Sequence, residues 1–292
     1  MTRTNVLGAA FLVAGTIATA TPAAAQATIG ADLGLFSSYV WRGLSLTKKP
    51  VAQPDLYVTF PAGQASITLC GWASIDLGKY DNPNKDISES GGSSAFNFAE
   101  FDPWAEISYT VGKATLTGGA TVYIYLNKDT APLFALTSDF NTVEIYGKVA
   151  FDAPLAPKLA AWYDVDKIKG LYAEASVSHT LQASEKVGVT LGALAGFNAG
   201  QDADLDASGT PTAEFFNFAD DGFTHLDLSA AVPFSAGPLS LSPALHVVIN
   251  RDDATKVTSP TNVDKDVKFW GGVTISWSKS YGEEAAEEET AE

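Results

Sequence analysis

The sequence predicts an all-β protein: a transmembrane antiparallel β-barrel of about twelve strands. Three observations carry that expectation. Apolar and polar residues alternate with period two in segment after segment. The apolar face of every such segment holds no Asp, Glu, Lys or Arg. The connections alternate between brief ones and mostly long, polar ones, which is the habit of outer-membrane barrels.

Residues 1–25 come first. They carry one early cation, Arg3, an uncharged run over 6–20, and a close on Ala23-Ala24-Ala25, so they read as a signal peptide with a mature start near Gln26. No later stretch approaches the roughly 18 uncharged apolar residues that a spanning helix needs. A membrane span would therefore have to be built from strands.

The alternation places strands near 29–42, 51–60, 65–77, 99–111, 114–126, 142–152, 157–166, 170–181, 186–198, 223–234, 239–250 and 266–277. Over 65–77 the odd positions are Ala, Ile, Leu or Gly, while the even ones run Ser66, Thr68, Cys70, Trp72, Ser74, Asp76. Most runs reach the length of about 9–11 tilted residues that crosses a bilayer. The brief connections, at 61–64, 112–113, 153–156, 182–185 and 235–238, are expected on the periplasmic side. The longer ones, at 43–50, 78–98, 127–141, 199–222 and 251–265, are expected outside, together with the short link 167–169.

A charge at the bilayer midplane costs about 2–4 kcal/mol, which explains the strict exclusion from one face; a soluble sandwich has no such need. Tyr39, Trp41, Phe60, Phe101, Tyr109, Phe151, Phe197, Phe234, Phe269 and Trp277 fall near strand ends on that face, as interfacial girdles do. Pro54, Pro103 and Pro243 are expected near strand ends, where a lost ladder donor is tolerable. The barrel is thus expected over 26–278. Residues 279–292, with six Glu after Gly282, read as a solvated acidic tail.

The formal charge of −16 argues against a nucleic-acid partner, because phosphate binding needs a basic footprint. Cys70 is the only cysteine, so no intrachain disulfide is possible. It shares the inward face with Thr68 and Trp72 and reads as a small filler.

The stretch Ser38-Tyr39-Val40-Trp41-Arg42-Gly43-Leu44-Ser45-Leu46-Thr47 resembles the hallmark of the TorF-like family of outer-membrane porins, with Leu46 in place of that family's usual Gln. The resemblance covers ten residues and implies an outer-membrane barrel with a porin label but no particular substrate. Phe269, Gly271, Val273, Ile275 and Trp277 also resemble the assembly signal that closes such chains.

The inward face is expected to carry twelve acids, Asp32, Asp55, Asp76, Glu100, Asp102, Glu106, Glu144, Asp152, Asp164, Asp166, Glu174 and Asp227, against four cations, Arg42, Lys148, Lys158 and Lys268. Such an excess in a confined passage favours cations; alternatively the acids are buried pairs that fill the interior. Tyr57, Trp72, Trp104, Tyr123, Tyr125, Tyr146, Trp162, Tyr172 and Trp270 share that face, with His225 and His246 as further lumen candidates. Twelve strands lie between packed eight-stranded and open sixteen-stranded barrels, so a narrow channel for small polar solutes is expected in contact with outer-membrane lipid.

No cofactor is expected. Asp202, Asp204 and Asp206 form a weak calcium candidate, since an EF-hand loop needs Gly where Ala207 stands and Glu where Ala213 stands. Two rival functions remain: a closed structural or adhesive barrel, and a barrel enzyme built on His225, Asp227 and Ser229. Residues two apart on a strand lie roughly 7 Å from each other, too far for direct hydrogen bonding, so the chain is expected not to be an enzyme.

Overall fold

The computed structural model describes residues 27–79, 95–126, 141–182, 188–202, 217–256 and 266–281. The signal segment, the tail from 282 onward and two of the calcium candidates, Asp204 and Asp206, lie outside these residues.

In chain order the strands are β1 (Ala27–Phe36), β2 (Tyr39–Trp41), β3 (Leu44–Thr47), β4 (Val51–Ala62), β5 (Ala65–Asp76), β6 (Asn97–Val111), β7 (Ala114–Tyr125) and β8 (Thr142–Phe151). They continue with β9 (Lys158–Asp164), β10 (Leu171–Gln182), β11 (Gly188–Ala199), β12 (Gly222–Ala231), β13 (Phe234–Ala236), β14 (Leu239–Asn250) and β15 (Val267–Tyr281), with one helical turn, α1 (Asp253–Lys256), before the last. Thirteen strands form a single sheet in which β12 also pairs with β14, closing the ring; β13 is a three-residue piece on β14. The other twelve are the wall of a closed antiparallel barrel. The first and last strands meet, Ala27 opposite Tyr281 and Phe36 opposite Gly272.

The outward face is apolar and uncovered. Leu56, Leu245 and Phe269 expose 64%, 71% and 76% of their surface, which hydrocarbon tolerates and water does not. The inward face carries the polar groups, with Asp32, Asp55, Glu100, Asp102, Glu144 and Asp164 all buried.

Pro54 and Pro103 lie well inside β4 and β6, contrary to their expected place at strand ends. Each sits where a ladder skips two rungs: β4 and β5 pair at Ala52/Ile75 and next at Asp55/Trp72, and β6 and β7 at Phe101/Ile124 and next at Trp104/Thr121. Beside Pro103 the amide of Ile124 donates to the Asp102 carboxylate over 3.3 Å, so a side chain replaces a missing backbone acceptor.

Three further expectations are corrected. The first strand ends at Phe36 rather than 42, and the residues after it form a separate hairpin of β2 and β3. Tyr39 and Trp41 therefore leave the outer girdle, and Tyr39 is buried. The last strand, expected to end at 277, runs on to Tyr281, four residues further. Asp152 and Asp166 lie outside the strands and are exposed, so they do not line the lumen.

Candidate functional site

The hairpin reverses over a two-residue tip. Arg42 and Gly43 both have positive φ, 50° and 81°, which is the signature of the primed turns that match strand twist. This turn sets the register, with Trp41 opposite Leu44 and Val40 opposite Ser45. Its apolar side chains, Tyr39, Val40, Trp41 and Leu46, pack with Phe36, Val51, Trp72, Tyr123, Val248 and Trp270 of the wall, while Leu44 packs in a second cluster around Tyr146, Trp162 and Tyr172. The end of the barrel that carries the long connections is thus filled from within.

At the tip, Arg42 reaches across the lumen. Its Nη1 and Nη2 donate to the two carboxylate oxygens of Glu144 on β8 over 2.8 and 2.7 Å, and both side chains are at most 2% exposed. The Tyr123 hydroxyl donates to the same carboxylate over 2.7 Å. The guanidinium carbon lies 4.5 Å from the Trp41 ring, 4.3 Å from Tyr172 and 5.4 Å from Trp162. A buried charge is costly to desolvate, and a bidentate partner with aromatic faces on several sides is what makes its burial tolerable.

Other hairpin contacts reach different strands. Tyr39 donates to Glu100 of β6 over 3.0 Å, and Thr47 to Asp76 of β5 over 3.3 Å. The carbonyl of Gly43 accepts from Lys268 Nζ of β15 over 3.1 Å. Gly43 also lies against β12, where a Cβ would come within 2.8 Å of the His225 ring. Phe218 stacks on Tyr172, with ring centroids 5.6 Å apart, in the cluster against which Leu44 of the hairpin packs. Asp252 accepts from the backbone amides of Ala219 and Asp220, tying that segment down.

Toward the short turns the lumen changes character. Hydroxyls pair across neighbouring strands: Thr59 with Thr68 at 2.9 Å, Ser108 with Thr117 at 2.8 Å, Thr110 with Thr115 at 3.0 Å and Thr180 with Thr190 at 2.9 Å. Between the two zones lie an ion pair, Lys148 with Glu106 at 2.8 Å, and a hydrogen-bonded pair, His246 Nδ1 with Asp227 at 3.0 Å. The carboxylates of Glu106 and Asp227 remain 17% exposed, and His246 stacks on Trp270 with centroids 3.9 Å apart.

Asp152 and Asp166 apart, the residues expected in the lumen divide by task. Arg42, Glu144, Tyr123, Trp162, Tyr172 and Glu174 come together around the tip. Asp164 is committed to a turn, where it accepts from the amides of Asp166 and Ile168, both over 3.0 Å. Asp55, Tyr57 and Cys70 form a separate group on β4 and β5, with the thiol against Asp55. Tyr146 donates to Glu106 over 3.0 Å.

The histidine pairing differs from expectation. His225 packs against the hairpin tip and bonds Thr224 at 3.0 Å, while Asp227 takes His246 from the neighbouring strand. Ser229 lies opposite His246 in register but also close to Gly192, where a Cβ would fall 2.5 Å from its Oγ. Sequence reasoning missed Gly43, Thr47, Phe218 and Asp252.

No protein-family model and no curated protein matches the chain. Solved structures do. An outer-membrane channel from Pseudomonas putida F1 aligns over 89% of this chain and 97% of its own at 10% identity and a TM-score of 0.47. The toluene transporter TodX from P. putida aligns over 90% and 91% at 11% identity and a TM-score of 0.41. LpxR from Salmonella typhimurium aligns over 86% and 99% at 10% identity and a TM-score of 0.46. LpxR is an outer-membrane barrel enzyme, so the expectation that this chain is not an enzyme does not stand, although most of these neighbours are channels.

Proposed function

We propose that the protein is an outer-membrane channel for small polar solutes, closed at its outer end by the hairpin of residues 37–50 and preferring cations or neutral solutes over anions. The observation that carries this reading is the hairpin itself, which crosses the lumen and is held at its tip by the Arg42–Glu144 pair. A wall needs no such segment inside it, whereas a closable passage does. Inward acids on the strands outnumber the cations that face them, and Glu106 and Asp227 keep partly exposed side chains. That arrangement favours positive over negative solutes. The resemblance of residues 38–47 to the TorF-like porin hallmark supports the channel part of this reading alone.

Planar-bilayer recordings of the folded parent and Arg42→Ala proteins test this. The parent is expected to conduct little, and the variant to conduct steadily with a cation-selective reversal potential. Anion selectivity in the variant would remove the preference from the reading.

The packed aromatic clusters around the hairpin favour one second reading, a permanently closed structural barrel. Silence from both proteins, each heat-modifiable and rich in β-structure, would establish it in place of the channel.

A further inference from the structure

Arg42 does not simply fill a hole; it is bound as a ligand would be. Glu144 grips it fork to fork at 2.8 and 2.7 Å, Tyr123 fixes the carboxylate at 2.7 Å, and Tyr172 and Trp162 present ring faces at 4.3 and 5.4 Å. These groups belong to four wall strands, β7, β8, β9 and β10, and none to the hairpin. If the hairpin withdraws, they stay in place.

The wall provides more than Arg42 uses. Glu174, 7% exposed, accepts from the Tyr172 hydroxyl at one oxygen over 3.0 Å, while its other oxygen is buried without a hydrogen bond among the described residues. Arg42 Nε is likewise buried without an acceptor among them. A buried carboxylate oxygen lacking a donor is costly to maintain unless a donor arrives in another state.

We propose that this cage is a recognition site for a guanidinium-bearing solute, with the hairpin's own arginine as its occupant in the closed state. The inference rests on the channel reading for its meaning but not for its chemistry. A planar guanidinium matches the carboxylate fork and stacks between rings, whereas an ammonium does neither as well, so the site separates arginine-like from lysine-like cations. A solute carrying a second cationic group would also supply the donor that Glu174 lacks. Because Arg42 is tethered, it competes at a high effective concentration, and a free solute displaces it only when abundant. The solute would thus take part in opening its own passage.

The probes are methylguanidinium and methylammonium, each added to Arg42→Ala protein in a planar bilayer, where the site is vacated. Methylguanidinium is expected to block the current with a half-blocking concentration at least tenfold below that of methylammonium, and Glu144→Gln in the same background should erase the difference. Equal block by the two cations, or a difference that survives Glu144→Gln, would overturn the proposal. Should the variant be folded but silent, the channel reading falls. The site is then read by heat-modification on gels: methylguanidinium should raise the midpoint of Arg42→Ala and not that of the double variant, and no such rise would end the proposal. If Arg42→Ala does not assemble, Arg42→Lys retains a charge in the cage, and the same ordering of the two probes is expected of it.

Discussion

The hydroxyl of Tyr39 donates to Glu100 over 3.0 Å, linking the first residue of β2 to a strand sixty-one positions further along the chain. Together with the Arg42 fork it fixes the hairpin at both root and tip. The two contacts are unequal: one is a single hydrogen bond and the other a bidentate ion pair, and charge-assisted bidentate bonds are the stronger kind. Tyr39→Phe is therefore expected to give brief openings in single-channel records where Arg42→Ala gives sustained ones. Identical records would mean that the tip does not dominate.

Stability should depend on the same ion pair. Removing one partner of a buried ion pair strands the other charge and costs about 3–5 kcal/mol. Arg42→Ala and Glu144→Gln should each lower the midpoint of urea unfolding in detergent, and the double variant should fall by clearly less than the sum. An additive double variant would show that the two residues act independently.

Gly43 offers a steric test that alters no charge. Its φ of 81° costs a residue with a Cβ roughly 1–2 kcal/mol, and that Cβ would press on the His225 ring at 2.8 Å. Gly43→Ala should unseat the tip and raise conductance. Gly63, with a φ of 66° and nothing near the site of its missing Cβ, serves as the control: Gly63→Ala should leave the current unchanged.

Selectivity should depend on exposure more than on the number of acids. Glu100 and Asp102 are fully buried and engaged with Tyr39 and the Ile124 amide, whereas Glu106 and Asp227 keep 17% of their side chains accessible. In the open Arg42→Ala background, Glu106→Gln and Asp227→Asn should reduce the cation preference seen in reversal potentials, and Asp102→Asn should change it little. A dominant effect of Asp102 would mean that the buried acids, not the exposed ones, set the selectivity.

Orientation can be read by labelling in a Cys70→Ser background. Asp221, exposed near a long connection, and Gly237, in a short turn, sit at opposite ends of the wall. An impermeant maleimide on whole cells should mark Asp221→Cys and spare Gly237→Cys. The reverse pattern would invert the barrel.

The wall was legible because hydrocarbon enforces one rule on every strand, so that each segment repeats the same alternation and a single face stays free of charge. The hairpin was not, because Tyr39-Val40-Trp41 extends the apolar character of β1 and hides the break at Ser37-Ser38. A usable signal was present: three consecutive apolar residues violate period two, and Arg-Gly between two short apolar runs fits a primed turn. Partner choice across strands was beyond reach for a different reason. His246 meets Asp227 only through the register of β12 on β14, where Ser229 faces His246, and one sequence does not reveal register between strands. Asp164 could not be told from a lumen acid, since its turn-capping role depends on where β9 ends.

The pairing of β1 with β15 also sets an order of assembly. The ten residues of β1 find their second neighbour only when the last strand arrives, more than two hundred positions later. Until then the growing ribbon has two raw margins, one at β1 and one at β14, and unpaired margins recruit foreign strands. The hairpin hangs directly from the first of these margins, so Trp41 and Arg42 can swing into place from the side while the ribbon is still open. Once β15 has zipped the seam, the same residues would have to enter from the end, past Phe218 and the segment that Asp252 ties down. A hairpin seated late is therefore a slower process than one seated early, and the timing of the final strand decides which of the two a given molecule undergoes.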